Sequence, residues 1–388
     1  MTAAAPRSLA LDALRGGAVA LMILVNNPGS WQHLFAPLAH APWHGCTPTD
    51  LVFPFFLFAV GASLAFTLPA MGAAFWAKVG QRAALIFAIG LFLNASPFVR
   101  WNAEGELVLR SVESLRIMGV LQRIALAYFC AAVIVRGFGA RGALRVAAAL
   151  LLGYWAACVA FGGADPYSLE GFFGTALDRA LLGPSHLYQG EGVAFDPEGL
   201  ASTVPAVAQV LLGHAAGRLI ARRAPDAALV ARLFSWACVL LLLGFAWQWW
   251  MPLNKKLWTS SYVLHTTGLA MMLLAAFIHL IDIRKHPPEL AGWATFFEVF
   301  GKNPLFVFVL SGFVPRVLAL LRWQDGTGAE GQPLWTSPLP WVYKTLFAPV
   351  GQWAGDPRLG SFLFAVANLC LYALLAWWLD RRRIYIRV

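Results

Sequence analysis

Ten stretches of this chain run for about twenty residues almost without charge, and each is long enough to cross the hydrocarbon of a bilayer as a helix. They fall near 9–27, 50–70, 80–97, 116–135, 143–162, 200–220, 229–250, 258–281, 296–315 and 359–379. Composition agrees with that pattern. Of the 388 residues, 59% are hydrophobic and 12% charged, where a soluble domain carries roughly 25% charge. The 17 tryptophans suit bilayer interfaces. A disordered chain, a coiled coil and an ordinary cytosolic enzyme are excluded. The expected fold is an all-α integral membrane protein: one domain over 1–388, a bundle of about ten transmembrane helices. The segment 339–351 is too short and proline-rich to span, and is expected to be interfacial or re-entrant.

The net charge of +10 would suggest nucleic acid in a soluble protein. Here the basic residues sit in short loops between apolar runs, so they set topology and no nucleic-acid partner is expected. With both termini cytoplasmic, the inner side gathers Arg7, Arg141, Arg145, Arg222, Arg223, Lys285, Arg381, Arg382, Arg383 and Arg387, among others. The long segments 28–49, 163–199 and 316–358 then lie outside with a lower basic density, as the positive-inside rule requires. These long loops, rich in Gly, Pro, Trp and His, are expected to fold and line a mouth. No cleavable signal precedes the first apolar stretch, so the first helix is expected to be retained. The cysteines (Cys46, Cys130, Cys158, Cys238 and Cys370) have no paired spacing, which argues against a disulfide framework or zinc site. No short repeat supports a transporter of inverted halves.

Polar groups inside hydrocarbon are expensive and so become functional candidates. Asp12 and Arg15 share a helix face one turn apart, as a boundary ion pair or part of a site. Asn26 ends the same helix, where an amide caps or bridges. Residues 40–50 hold His40, Trp43, His44 and Asp50 between turn-formers at the outer end of the next helix. Thr49 or Asp50 can cap that helix; alternatively, Asp50 orients an imidazole and His40 moves protons near neutral pH. A metal site is ranked lower, because no cluster of carboxylates and histidines completes a coordination shell. Arg123 sits in an otherwise apolar helix, where it can pair with a carboxylate or face an anionic ligand. Asp196 and Glu198 stand at the outer entrance of the sixth helix, as sugar-gripping carboxylates or as an N-terminal cap. Asn254-Lys255-Lys256-Leu257-Trp258 marks another outer mouth, and Gly301-Lys302-Asn303-Pro304 opens the ninth helix from inside. The polar groups thus divide into an outer set (His40, His44, Asp50, Asp196, Glu198) and a basic inner or intramembrane set (Arg15, Arg123, Arg218, Lys302). That division suits a protein joining a cytosolic anion to an extracytoplasmic acceptor, and equally a porter for an anionic sugar.

Across these motifs the sequence resembles the heparan-α-glucosaminide N-acetyltransferase family, specifically its shorter bacterial members. The resemblance runs through Leu11-Asp12-Ala13-Leu14-Arg15-Gly16, Val25-Asn26, the block from His40 to Phe56, Gly119-Val120-Leu121-Gln122-Arg123 and Asp196-Pro197-Glu198-Gly199. It continues through Asn254 to Trp258 with Ser261-Tyr262, Gly301-Lys302-Asn303, and the basic tail around Arg383-Ile384-Tyr385-Ile386. It implies acetyl transfer from cytosolic acetyl-CoA, across the membrane, to the amine of a glucosamine-type sugar, and a homodimer in the inner membrane. It places the family's active-site histidine on His40, its neighbouring Asn on Asn26 and its Asp on Asp50. His44 departs from the Asn of lysosomal members, the loop between Asn26 and His40 is longer, and the extra lumenal region of those members is not expected here. On this reading His40 takes a proton from the amine, Asp50 holds it, and Asn26 donates to the oxyanion; alternatively His40 is itself acetylated. Arg15, Arg123, Arg218, Lys302 and Asn303 are the candidate holders of CoA, with no metal required. Trp43, His44, Asp196, Glu198 and Trp258 are candidate acceptor-binding residues, in a cavity expected to open to both faces. The alternatives are a permease for glucosamine or N-acetylglucosamine, and a membrane O-acyltransferase of envelope glycan.

Overall fold

The computed structural model describes residues 8–102, 104–284, 291–328 and 330–386. Arg7, Lys285 and Arg387, counted above for topology, lie outside them. The chain is dominated by helices, with two short hairpins. In order these are α1 (Leu9–Asn26), α2 (Val52–Thr67), α3 (Ala73–Ala95), β1 (Val99–Trp101), β2 (Leu107–Leu109), α4 (Val120–Phe161), α5 (Phe173–Leu182), α6 (Leu200–Ala221), α7 (Ala227–Trp247) and α8 (Ser260–Phe277). After them come α9 (Ala291–Lys302), α10 (Pro304–Leu318), β3 (Trp323–Thr327), β4 (Pro333–Thr336), α11 (Pro338–Val342), α12 (Ala348–Trp353) and α13 (Pro357–Arg381). Eight helices among the described residues are long and apolar enough to cross a membrane, or nine if α9 and α10 form one bent span.

Two expected segments change shape. Residues 116–135 and 143–162 belong to one helical run, α4, broken at Gly139 (φ 65°, ψ −177°). Its 42 residues are about twice what a crossing needs. Near its start, the Arg123 guanidinium lies 4.9 Å from the Trp258 ring; near its end, the Tyr154 hydroxyl donates to Leu257 O at 2.6 Å. The chain therefore turns back at Gly139, a left-handed backbone position that favours glycine. Segment 296–315 is likewise not one helix, because Gly301-Lys302-Asn303-Pro304 does not open it but breaks it. Proline disfavours helical geometry in the residue before it. Asn303 is accordingly non-helical (φ −130°, ψ 46°), and α9 meets α10 at 80°. Segment 339–351 folds as α11, a π turn over Tyr343–Phe347, and α12. Tyr343 and Phe347 pack edge-on against Phe364 of α13.

The hairpins β1–β2 and β3–β4 are antiparallel additions to the expected all-helical chain. Arg322 ties them together, its guanidinium 3.9 Å from the Trp101 ring and 4.4 Å from that of Trp335.

The central packing is α2 against α6. Gly213 and Gly217 of α6 lie against the backbone oxygens of Phe58 and Ala62, and Gly61 of α2 lies against Val210 O. Small residues four apart let two apolar helices approach closely, replacing the hydrophobic drive that lipid removes. A side chain at Gly213 would meet backbone, which cannot swing aside. Gly213→Leu is therefore expected to lower the thermal unfolding midpoint in detergent by at least the equivalent of about 1–3 kcal/mol, the usual overpacking cost. Gly153→Ala, with open space around it, is expected to leave the midpoint unchanged or raise it slightly; equal effects would refute the seam. This seam aligns α2 and α6, whose outer ends carry Asp50 and Glu198.

Candidate active site

At the end of the bundle expected to face outward, three loops converge. They are 40–50 before α2, 184–199 before α6 and 251–259 before α8. A second apolar cluster holds them, built on Tyr154, Phe172, Phe195, Met251 and Leu257, all at most 3% exposed. Burying each large apolar side chain there contributes roughly 1.5–3 kcal/mol. Within the last loop, Asn254 Oδ1 accepts from Leu257 N at 2.9 Å, and Asn254 N donates to Thr259 Oγ1 at 3.0 Å. Trp258 takes φ 54° at the tight turn these bonds close.

The loops enclose a cavity of about 250 Å³ lined by His40, Ala41, Trp43, Asp50, Arg116, Tyr188, Glu191, Pro197, Glu198, Lys255 and Lys256. Asp50 is 1% exposed and fully engaged. Its Oδ2 accepts from Ala41 N, Thr47 N and Thr47 Oγ1, each at 3.0 Å, while Oδ1 lies 2.7 Å from His40 Nδ1. The capping and orienting readings of Asp50 are thus one arrangement: it ties the turn before α2 and points its other oxygen at the imidazole. A carboxylate on Nδ1 favours the tautomer that leaves Nε2 with its lone pair. That nitrogen is able to accept a proton in the cavity. Tyr262 of α8, fully buried, donates its hydroxyl to Asp50 O from beneath.

Arg116, which the sequence reading left out of the site, organises the opposite wall. Its Nε and Nη2 reach both oxygens of Asp196 (2.9 and 2.6 Å), and Nη2 also reaches Glu198 Oε2 at 2.6 Å. Bidentate pairs of this kind are strong and directional. Burial alone would lower the Arg116 pKa, but these carboxylates hold it above the ordinary arginine range. Burial would likewise raise the Glu198 carboxyl, yet Arg116, Arg123 and Lys255 outweigh it and keep Glu198 below the usual carboxylate range. Asp196 is 1% exposed and spent on Arg116; Glu198 lines the cavity.

Neither of those two caps α6. Asp178 of α5 does so from a distance, its Oδ1 accepting from Leu200 N and Ala201 N at 3.0 and 3.3 Å. Burial raises its carboxyl to about 6 from 3.8. A folded-state pKa above the unfolded value means this group's contribution is complete below pH 4 and is lost as pH rises through about 6. Asp178→Asn, which keeps the accepting oxygen, is expected to flatten the fall in stability between pH 4 and 6. Unfolding midpoints across that range test this; an unchanged slope would refute it.

The other expected residues are placed as follows. Trp43 lines the cavity, its indole N–H donating to Tyr167 O at 2.8 Å and its ring 5.4 Å from Lys256 Nζ. His44 is exposed, with Nδ1 3.4 Å from Asn254 Nδ2. Asn26 is the exposed last residue of α1 and does not line the cavity. Trp258 is fully buried, donating from Nε1 to Gln209 Oε1 at 3.1 Å beneath the Arg123 guanidinium. Arg123 is also fully buried, its Nη2 donating to Pro197 O at 2.6 Å and to Ser202 Oγ.

A second cavity, of about 380 Å³, lies on the other side of that buried layer. Ile124, next to Arg123, lines it, together with Arg15, Phe56, Ser63, Thr67, Arg82, Tyr128, Lys302, Tyr385 and Ile386. One cavity open to both faces was expected; instead this cavity and the one around His40 share no lining residue, and buried Arg123 bonds Pro197 of the one and adjoins Ile124 of the other. Arg15 donates to Asp12 Oδ1 (2.6 Å) and Gly301 O (2.8 Å). Lys302 pairs with Asp380 at 2.9 Å and Glu298 at 3.2 Å. Asn303 clamps the tail, donating to Ile384 O (3.0 Å) and accepting from Ile386 N (2.8 Å). Arg218 lies on α6 and does not line this cavity. Arg82 was missed: it stacks on Tyr128 (5.2 Å) and links the cavity to a neighbouring pocket holding Lys78 and Gln81. The signal is present in the sequence, since Lys78 and Arg82 lie one turn apart on α3, but basic residues flanking apolar runs read first as topology determinants. Among the described residues no group of three or more His, Cys, Asp or Glu could hold a metal.

Helices of this length and apolarity, with an imidazole–carboxylate pair beside one cavity and three cations lining another, define a multi-pass membrane protein. The chain belongs to the heparan-alpha-glucosaminide N-acetyltransferase family: residues 7–247 match the model of that family's catalytic region. It is 27% identical over 343 residues to the human heparan-alpha-glucosaminide N-acetyltransferase, covering 73% of this chain and 50% of that protein. The mouse protein of the same name is 28% identical over 339 residues, covering 72% and 50%. The chain spans about half the length of these curated relatives. His40, Asp50, Arg116, Arg123 and Glu198 fall within the matched stretch, whereas Lys255 and Lys302 lie beyond it.

Proposed function

We propose that the protein is an integral-membrane N-acetyltransferase that moves the acetyl group of acetyl-CoA to the amine of a glucosamine-type sugar. On this reading the inner cavity receives the CoA head from the cytosol, the thioester arm reaches past the Arg123–Trp258 layer, and the sugar meets the acetyl group in the outer cavity. The chain crosses a bacterial inner membrane ten times, with both termini cytoplasmic, as a homodimer. The observation that carries the reading is a pair of cavities on either side of Arg123 and Trp258, one holding the His40–Asp50 pair and the other lined by Arg15, Arg82 and Lys302. Family membership supports the reaction class.

The chemistry follows from the residues. CoA carries phosphates, and Arg15, Arg82 and Lys302 offer cations with Tyr128 and Tyr385 as flanking rings. A glucosamine amine is mostly protonated at neutral pH and must lose a proton before attacking a carbonyl. His40 Nε2 takes it, and Asp50 steadies the imidazolium that results. Trp43 presents an apolar ring at the cavity wall, and Glu198 an oxygen already polarised by Arg116.

Incubating purified protein with labelled acetyl-CoA and glucosamine tests this. Labelled N-acetylglucosamine is expected. No transfer to any amino sugar, with counterflow of labelled glucosamine in the absence of acetyl-CoA, would replace the enzyme by a permease; transfer to hydroxyl-only sugars would replace it by an O-acyltransferase.

A further inference from the structure

Three cationic side chains line the outer cavity, and two are consumed by carboxylates. Arg116 is held by Asp196 and Glu198 at 2.6–2.9 Å. Lys256 is held by Glu191 at 2.7 Å and Pro42 O at 3.1 Å. Lys255 differs. Its ion pair, with Asp50 Oδ1, is long at 3.7 Å, and its Nζ stands nearer His40, 3.1 Å from Nδ1 and 3.3 Å from Nε2. The ammonium is thus set close against both nitrogens of the ring that takes the proton, with the cavity beside it.

Its position is built rather than incidental. Trp258 N donates to Lys255 O at 3.2 Å, and Thr259 N donates to Asn254 O at 3.1 Å. With the Asn254 and Thr259 side-chain bonds described above, the backbone on both sides of Lys255 is fixed. Gly45 N also donates to Leu253 O at 2.7 Å, locking this loop to the one that carries His40. A cation fixed in a partly dry site stabilises developing negative charge far better than one that must reorganise from water.

Resting on the acetyltransferase reading, we propose that Lys255 is a third catalytic residue beside His40 and Asp50, donating from Nζ to the oxyanion that forms on the acetyl carbonyl. The amine nitrogen adds to the carbonyl carbon, and the C=O π pair moves onto oxygen, where the Lys255 N–H groups receive it. His40 Nε2, having passed the ammonium proton on to water, takes the second proton, released from nitrogen as the C–N bond forms. The oxygen pair then returns, the C–S bond breaks, and the departing CoA thiolate is protonated from the imidazolium. Asn26, exposed at the end of α1 and outside the cavity lining, is relieved of that role. Burial lowers the Lys255 ammonium below the ordinary lysine range, against the opposing pull of Asp50 and Glu198. The group therefore gives up a hydrogen-bonding proton more readily than an exposed lysine.

Steady-state kinetics of Lys255→Met and Lys255→Arg beside the parent test the assignment, with acetyl-CoA as donor and glucosamine as acceptor. Lys255→Met is expected to lose about 10²–10³-fold in kcat, as removal of one oxyanion donor does elsewhere, with KM for both substrates little changed. Lys255→Arg, which keeps the charge, is expected to recover part of that loss, which a collapsed fold would not allow. A Lys255→Met kcat within twofold of the parent, or a loss confined to KM, overturns the role of Lys255 alone. A parent that acetylates no amino sugar overturns the function and this role with it.

Discussion

His40→Ala is expected to slow acetyl transfer by about 10²–10⁴-fold, the usual contribution of a positioned general base, while acetyl-CoA binding is retained. The reason is geometric. Asp50 spends one oxygen on Ala41 N and Thr47, and the other, 2.7 Å from Nδ1, on holding the imidazole. The rest of the cavity wall presents carboxylates already paired with Arg116 or Lys256, so no second free base stands ready. The donor is proposed to bind across the buried layer formed by Arg123 and Trp258, among Arg15, Arg82 and Lys302, none of which touches His40. A loss in kcat with unchanged acetyl-CoA affinity, read by single-turnover transfer and by calorimetric titration, is the expected result. Full activity would remove His40 from the chemistry, and a matching loss of donor affinity would merge the two cavities into one site.

The second large effect concerns stability. Arg116→Met is expected to cost about 3–5 kcal/mol, because removing one partner of a buried ion pair leaves an uncompensated charge. Asp196 is the group that suffers, with its side chain fully shielded from solvent. Adding Asp196→Asn to Arg116→Met is expected to recover a substantial part of the loss, since the stranded charge is then gone. That non-additivity is what contacting residues show. Unfolding midpoints of the two single variants and the double variant in one detergent check it. Losses that simply add would mean that Arg116 and Asp196 act independently.

Both expectations show which parts of the molecule could be read from sequence. The spans were legible because lipid imposes length and apolarity on every crossing. Their breaks were less so. The turn at Gly139 was legible as a gap between two spans, since Arg136, Gly137, Arg141 and Gly142 surround it, but its helical continuity was not. Pro304 carried a clear breaking signal, but the apolar run around it concealed the bend. The His40–Asp50 pair was legible because both lie in one short turn-rich block. Arg116 with Asp196, and Lys255 with His40, were not, since 80 and 215 residues separate them in sequence. Helix packing alone brings them together, in particular the glycine seam that aligns α2 with α6. Asp178 caps a helix 22 residues away, which no local capping pattern reveals. Trp258 is a candidate acceptor-binding residue by its place at a loop mouth, whereas the turn that presents Lys255 leaves it fully buried beside Arg123.

The most direct test of the account places donor and acceptor on opposite sides of a sealed membrane. Protein is reconstituted into proteoliposomes with glucosamine trapped inside and labelled acetyl-CoA added only outside. The expected result is labelled N-acetylglucosamine in the lumen, formed by the fraction of molecules whose inner cavity faces the medium and abolished by His40→Ala. Product formed only when both substrates share one side, with none in the sealed arrangement, would contradict transfer between two back-to-back cavities.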